Sequence, residues 1–177
     1  MSIVLPKFRQ TNLKQIGGLS SVNKPNQPYI LNLQTMEYLT LLGLPAEIDV
    51  DTQPGWYSVA SPGRNAPLYH YTGAETIISF SISWYSREES REDVITKCKW
   101  LEALTMNDGY DNPPPEVLFS FGALFTQGKF IVKSAKYRIG NFNREYSMYP
   151  QIAMQEIVLA RVSDGNPTRK QILQKDY

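Results

Sequence analysis

His70 and Cys98 are the single histidine and single cysteine of the chain. A thiol becomes a nucleophile when a base lies within hydrogen-bond reach. Neither Cys98 nor a serine motif neighbours His70 in sequence, so the fold would have to bring a pair together. His70 lies between Tyr69 and Tyr71, and there it reads as a packed, hydrogen-bonded residue rather than a catalyst. Glu47, Asp49 and Asp51 alternate with Ile48 and Val50. Three carboxylates so spaced can attract a cation, but no glycine turn or closing glutamate completes a calcium loop. They read instead as the solvated face of an edge strand, where charge blocks aggregation. Glu88 and Glu89 are adjacent surface acids. The turn-rich stretch 61–73, SPGRNAPLYHYTG, matches no phosphate-binding spacing, and neither zinc-ligand spacing nor a nucleophile elbow occurs. The residues therefore predict a protein that is not an enzyme, with no catalytic, cofactor-binding or metal-ligating side chain.

What the sequence does contain is a surface. In Glu75–Tyr85, ETIISFSISWY, Ile78, Phe80, Ile82 and Trp84 fall on one face and Ser79, Ser81 and Ser83 on the other. Period two is the pattern of a strand with one buried face. At ~3.3 Å per residue it spans roughly 36 Å, well beyond the usual length. An assembly that pairs strands between subunits has a use for it.

The length of 177 residues suits one domain with a core that needs no staples. A net charge of +1 gives none of the global basic character of a nucleic-acid binder. One cysteine excludes an intrachain disulfide and points to a reducing compartment. The first residues lack the apolar core of a signal peptide, and no apolar run is long enough to span a membrane.

In chain order, 1–28 carries Lys7, Arg9, Lys14 and Lys24 with no acid, punctuated by Gly17–Gly18 and Pro25. It reads as an extended arm, either docked on a neighbour or loose; its apolar beads, such as Ile3, Leu5 and Phe8, favour docking. Residues 29–165 form a β domain and 166–177 a charged tail. Ile30–Leu33 begins as a strand, and 34–42 is open to helix or strand. Residues 53–57 read as a turn into a short strand. Ser90 and Asp93 resemble a capping box ahead of a helix over 91–106. Val94, Cys98, Leu101 and Thr105 share its apolar stripe, which makes Cys98 a small buried hydrophobe. Val117, Phe119 and Phe121 alternate, as does 129–137, predicting a hairpin across 123–128. Lys129, Ile131, Val132 and Lys133 are expected to pair with the next subunit. Residues 138–149 read as a polar loop, and 151–162 as the last strand, with Ile152, Met154, Glu156, Val158, Ala160 and Val162 on one face.

The ordered set 61–75 running into Ser83-Trp84-Tyr85, Arg91-Glu-Asp-Val94, the prolines before Glu116-Val-Leu-Phe119, and Gly122-Ala-Leu-Phe125 resembles the tube-initiator and baseplate-hub proteins of contractile phage tails and related contractile injection systems. The resemblance covers about 61–162 and rests on several short motifs in order. It implies a tail-tube-like antiparallel β-barrel or sandwich, mainly β with one packed α-helix, whose long strands join a barrel between subunits. It further implies a homo-hexameric ring, with a tail tube protein on one side and baseplate hub and spike proteins on the other. DNA would pass non-specifically through the lumen, which Ser79, Ser81 and Ser83 would line. No cofactor and no membrane insertion are implied, and the location is the virion, assembled in the host cytoplasm. Some family members carry a C-terminal peptidoglycan-binding-type module; none is expected here.

Two other classes stay open. An OB-like nucleic-acid-binding barrel would use aromatic and basic residues on one face. A tail-associated cell-wall hydrolase would need an acid in a cleft, and no candidate can be singled out.

Overall fold

The computed structural model describes residues 14–15, 28–41, 43–60, 62–63, 65–86, 93–107, 109, 112–122, 124–143 and 149–162. Among them are eight strands and one helix: β1 (Lys14–Gln15), β2 (Tyr29–Asn32), β3 (Glu37–Thr40), β4 (Ile48–Val59), β5 (Leu68–Tyr85), α1 (Asp93–Ala103), β6 (Glu116–Phe121), β7 (Phe125–Asn143) and β8 (Tyr149–Arg161). The architecture is mainly antiparallel β with a single helix. The strands form one sheet in the order β1-β3-β2-β6-β7-β8-β5-β4. Only the short β1–β3 contact is parallel, Lys14 against Glu37 and Gln15 against Tyr38. That pair and Pro28 are the described parts of the predicted arm; the rest of 1–28 and the tail 166–177 lie outside the described residues.

Several boundaries differ from expectation, each for a local reason. Of the open stretch 34–42, the described residues 34–41 are not helical. Asn32 Oδ1 accepts the backbone N–H groups of Gln34 (2.8 Å) and Thr35 (3.3 Å), an Asx turn that reverses the chain. Met36 then takes a left-handed φ of 57°, and β3 pairs back on β2. The expected turn at 53–57 is instead the middle of a continuous strand. Pro54 is tolerated because β4 lies at the sheet edge, and a register shift at Gly55/Trp56 absorbs the irregularity. The expected loop 61–73 is strand from Leu68, and the expected loop 138–149 is strand as far as Asn143. The helix is shorter than 91–106: beyond Ala103 the chain tightens, with Thr105 N–H bonded to Glu102 O (2.9 Å) and Met106 N–H to Ala103 O (3.0 Å).

β7 is the hinge of the sheet. Its first part, Phe125–Ile131, pairs with β6, and its later part, from Phe130 to Asn143, pairs with β8. The strands on either side are folded over one another. Phe80 of β5 stacks on Phe119 of β6 at 5.2 Å between ring centroids and 14° between planes. In a flat sheet β6 and β5 would stand about 14 Å apart, three strand spacings of ~4.8 Å. Phe121 (6.2 Å), Phe125 (5.6 Å) and Phe130 (6.0 Å, edge-on) complete the aromatic cluster around Phe119.

The core lies between the two sub-sheets and α1. Ile78, Phe80, Ile82 and Trp84 are buried, as are Val94, Cys98, Leu101 and Leu104 of the helix and Ala153, Ile157 and Leu159 of β8. A buried polar bridge ties three elements together. Trp84 Nε1 donates to Gln155 Oε1 (3.0 Å), and Gln155 Nε2 donates to the Cys98 carbonyl (3.2 Å). Beside it the Lys97 ammonium sits 5.6 Å from the Trp84 ring, a cation–π placement that suits a nearly buried lysine.

Candidate assembly surface

The four strands β7, β8, β5 and β4 form a slab with two unlike faces. One face is the core. On the other, cross-strand partners point to the same side, so the register fixes its rows. Ser79 opposes Val158 and Asp49; Ser81 opposes Glu156; Ser83 opposes Met154. Beyond β8, Ser134 opposes Val158, Lys136 opposes Glu156, and Arg138 opposes Met154. Ser81, Glu156, Met154, Lys136 and Arg138 are exposed, and Ser79 and Ser83 half-exposed. The helix packs on β7 and β8 from the opposite side, so nothing described covers the serine face. The same rows also carry apolar side chains: Met154 (57% exposed), Val158, Tyr85 and Ile152 and, toward β6, Ile77, Ile131 and the buried Ala160, so the face is mixed rather than strictly polar.

Both lateral edges of the slab are open among the described residues. β4 ends the sheet. On the other side β6 leaves β7 at the Glu116–Ile131 pair, so 132–143 has a strand on its β8 side only. The expected inter-subunit residues straddle the start of that segment. Lys129 pairs with Leu118 of β6, and its carbonyl accepts the Val162 N–H at 2.9 Å. Ile131 lies between Glu116 and Ala160. Val132 is buried against the core beside Leu159. Lys133, at the bulge between Val132 and Ser134, forms a salt bridge with Glu75 within the chain. Lys129 and Ile131 are thus flanked on both sides within the chain, whereas Val132 and Lys133 begin the segment that has a strand on its β8 side only. The missed signal is that 129–131 had to serve two neighbours at once, which alternation alone does not encode.

At one end of the slab β4 and β5 continue as a two-stranded ribbon, because β8 accompanies β5 only over Ile77–Tyr85. Trp56, Tyr57, Tyr69 and Tyr71 are all more than half exposed there. Trp56 and Tyr71 are ladder partners with ring centroids 5.2 Å apart. His70, opposite Tyr57, is exposed on this ribbon, whereas Cys98 is fully buried beneath the sheet. Burial pushes the Cys98 thiol up to about 11, so it stays protonated and unreactive. No Cys–His pair forms. Asp49 and Asp51 lie along one side of β4, and Asp51 accepts a hydrogen bond from Gln53 Nε2 (2.6 Å). Among the described residues no three potential metal ligands converge, and no helix is long and apolar enough to cross a membrane.

No protein-family profile matches the chain, and no curated protein matches it. Among solved structures it is similar to a chain of the tail of an empty gene transfer agent particle refined with C6 symmetry. Identity is 15%, covering 81% of this chain and 96% of that one, with a TM-score of 0.41. A chain from the virion of the native gene transfer agent gives 15% identity, 81% and 95% coverage, and the same TM-score of 0.41.

Proposed function

We propose that the protein is a structural subunit of a phage-type tail, forming the tube-initiator or baseplate-hub ring that joins the central spike and hub to the tail tube. The observation that carries this reading is the slab itself: one face is core, the other is wet, and both lateral edges lack a strand partner. An open edge is an aggregation hazard unless something caps it. A head-to-tail contact in which one copy's β7 edge meets the next copy's β4 edge removes both at once. Such a contact closes when its rotation fits a ring, and six copies is the number expected. Across the new junction the strands run antiparallel, as they do within the slab.

In this ring the serine face turns to the lumen. There its hydroxyls stand among exposed charges of both signs, Glu156, Lys136 and Arg138 included. The tail tube protein would stack on one rim and the hub and spike proteins on the other. No step of this role needs a cofactor, a metal or a catalytic residue.

The test is sedimentation velocity of the purified protein over a range of concentrations, followed by negative-stain imaging of the heavy fraction. Rings with an open centre are expected. A protein that stays monomeric throughout, and is not incorporated when co-expressed with a tail tube protein, overturns the reading. Tight binding of single-stranded nucleic acid by such a monomer would favour the OB-like alternative.

A further inference from the structure

The two open edges of the slab carry opposite charge on the same face. On β4, Asp49 and Asp51 stand opposite Ser79 and Ile77, which places both carboxylates on the serine face at one lateral edge. On β7, Lys136 and Arg138 stand opposite Glu156 and Met154, which places both cations on that face at the other edge. All four side chains are exposed, and among the described residues none of them is in an ion pair. Lys133, the other cation of this face on β7, is already matched by Glu75. Lys136 has Glu156 across the ladder, but Arg138 has only the apolar Met154. A cation row on one edge and a carboxylate row on the other is wasted charge in a monomer. In a head-to-tail ring it becomes an alternating ladder.

Resting on the ring reading above, we infer that the subunit contact is selected by charge: Lys136 and Arg138 of one copy face Asp49 and Asp51 of the next across the β7–β4 junction. The occupant of each open edge is therefore a second copy of this chain. The arrangement also discourages wrong pairings. β4 against β4 would bring four carboxylates together, and β7 against β7 four cations, and like charges opposed across a strand pair are unfavourable. Backbone pairing alone would permit either, because an unpaired edge accepts any strand. Charge gives the contact its head and tail, and a head-to-tail contact is what allows a closed ring rather than a two-fold dimer.

The experiment compares four full-length proteins by sedimentation velocity and negative stain, with circular dichroism melts to verify folding. They are the wild type, Asp49→Lys/Asp51→Lys, Lys136→Glu/Arg138→Glu, and the chain carrying all four changes. All four positions are exposed, so the folds should melt alike. Wild type should form rings, and raising salt from about 0.1 M to about 1 M should weaken them, since the screening length falls from roughly 10 Å to roughly 3 Å. Each two-site variant has two edges of the same sign and should lose rings, with its assembly midpoint moved at least tenfold. The four-site chain should recover them. An equimolar mixture of the two defective variants should also form rings, with the variants alternating. If the two-site variants assemble as well as wild type, or if neither the four-site chain nor the mixture recovers, the charge inference is overturned and the ring survives. If wild type itself forms no rings at any salt, the ring reading is what fails.

Discussion

Between Ile77 and Tyr85, β5 is flanked by β4 and β8 and has one face under the core. Between Leu68 and Thr76 the same strand is flanked by β4 alone and is solvated on both faces. The proximal half alternates buried and wet side chains; the distal half alternates nothing. Yet both are strand. A two-stranded ribbon is marginal by itself, so the distal half is held mainly by continuity with the half that is packed. Proximal residues set whether the domain folds, and distal residues set what surface the folded domain presents. Replacements in the two halves should differ accordingly.

The largest contrast is Phe80→Ala against Tyr69→Ala. Phe80 is 5% exposed and stacked on Phe119, so its truncation should cost about 3–5 kcal/mol in a urea titration. Tyr69 is 65% exposed, and its loss should stay within about 0.5 kcal/mol. Equal costs would mean that the ribbon is packed in solution and that the two halves of β5 are not distinct.

Next comes pH. The buried Cys98 thiol ionises near 11 in the folded protein, against 9.0 ordinarily, with burial as the first cause. Between these values the unfolded chain releases the proton and the folded one keeps it. Stability is then fully present below pH 9.0 and falls as pH rises toward 11. The loss should be on the order of 2 kcal/mol, read as the difference between wild type and Cys98→Ala. An identical pH slope in the two proteins would place the thiol in contact with water.

Gln155→Leu should cost about 1–3 kcal/mol, because it leaves the Trp84 N–H and the Cys98 carbonyl buried without their partner. This residue also shows where sequence reasoning stopped. Alternation in the last strand groups Ile152, Met154, Glu156, Val158, Ala160 and Val162, and that is the face carrying exposed Met154 and Glu156. The core face is Ala153, Gln155, Ile157 and Leu159, and a glutamine in it reads as solvated until the indole diagonal to it on β5 is known. The long strand and the helical stripe were legible because apolar side chains there repeat at the strand or helix period. The ribbon and 138–143 were not, because aromatic, apolar and polar residues fall there on both exposed faces without a period, and Pro54-Gly55 imitates a turn. The two open edges are a property of strand order, which no local pattern records.

The smallest effect sharpens the picture of the wet face. Ser81 is exposed and directly opposite Glu156, which in turn opposes Lys136. Ser81→Asp sets two like charges across the ladder and should destabilise the monomer by only a few tenths of a kcal/mol, well below any core change. Ser81→Lys makes an opposite-charge pair with Glu156 and should be neutral or slightly stabilising. The two variants therefore separate a solvated face from a covered one. On a solvated face the sign of the new charge decides the outcome and 1 M salt erases the difference, given a screening length of roughly 3 Å. Beneath another layer of protein both charges would be costly, by several kcal/mol, and salt would not relieve them. Thermal melts of both variants at low and high salt make the distinction. A severe loss with both would mean that the serine face is buried in the monomer, and that face could then line no channel.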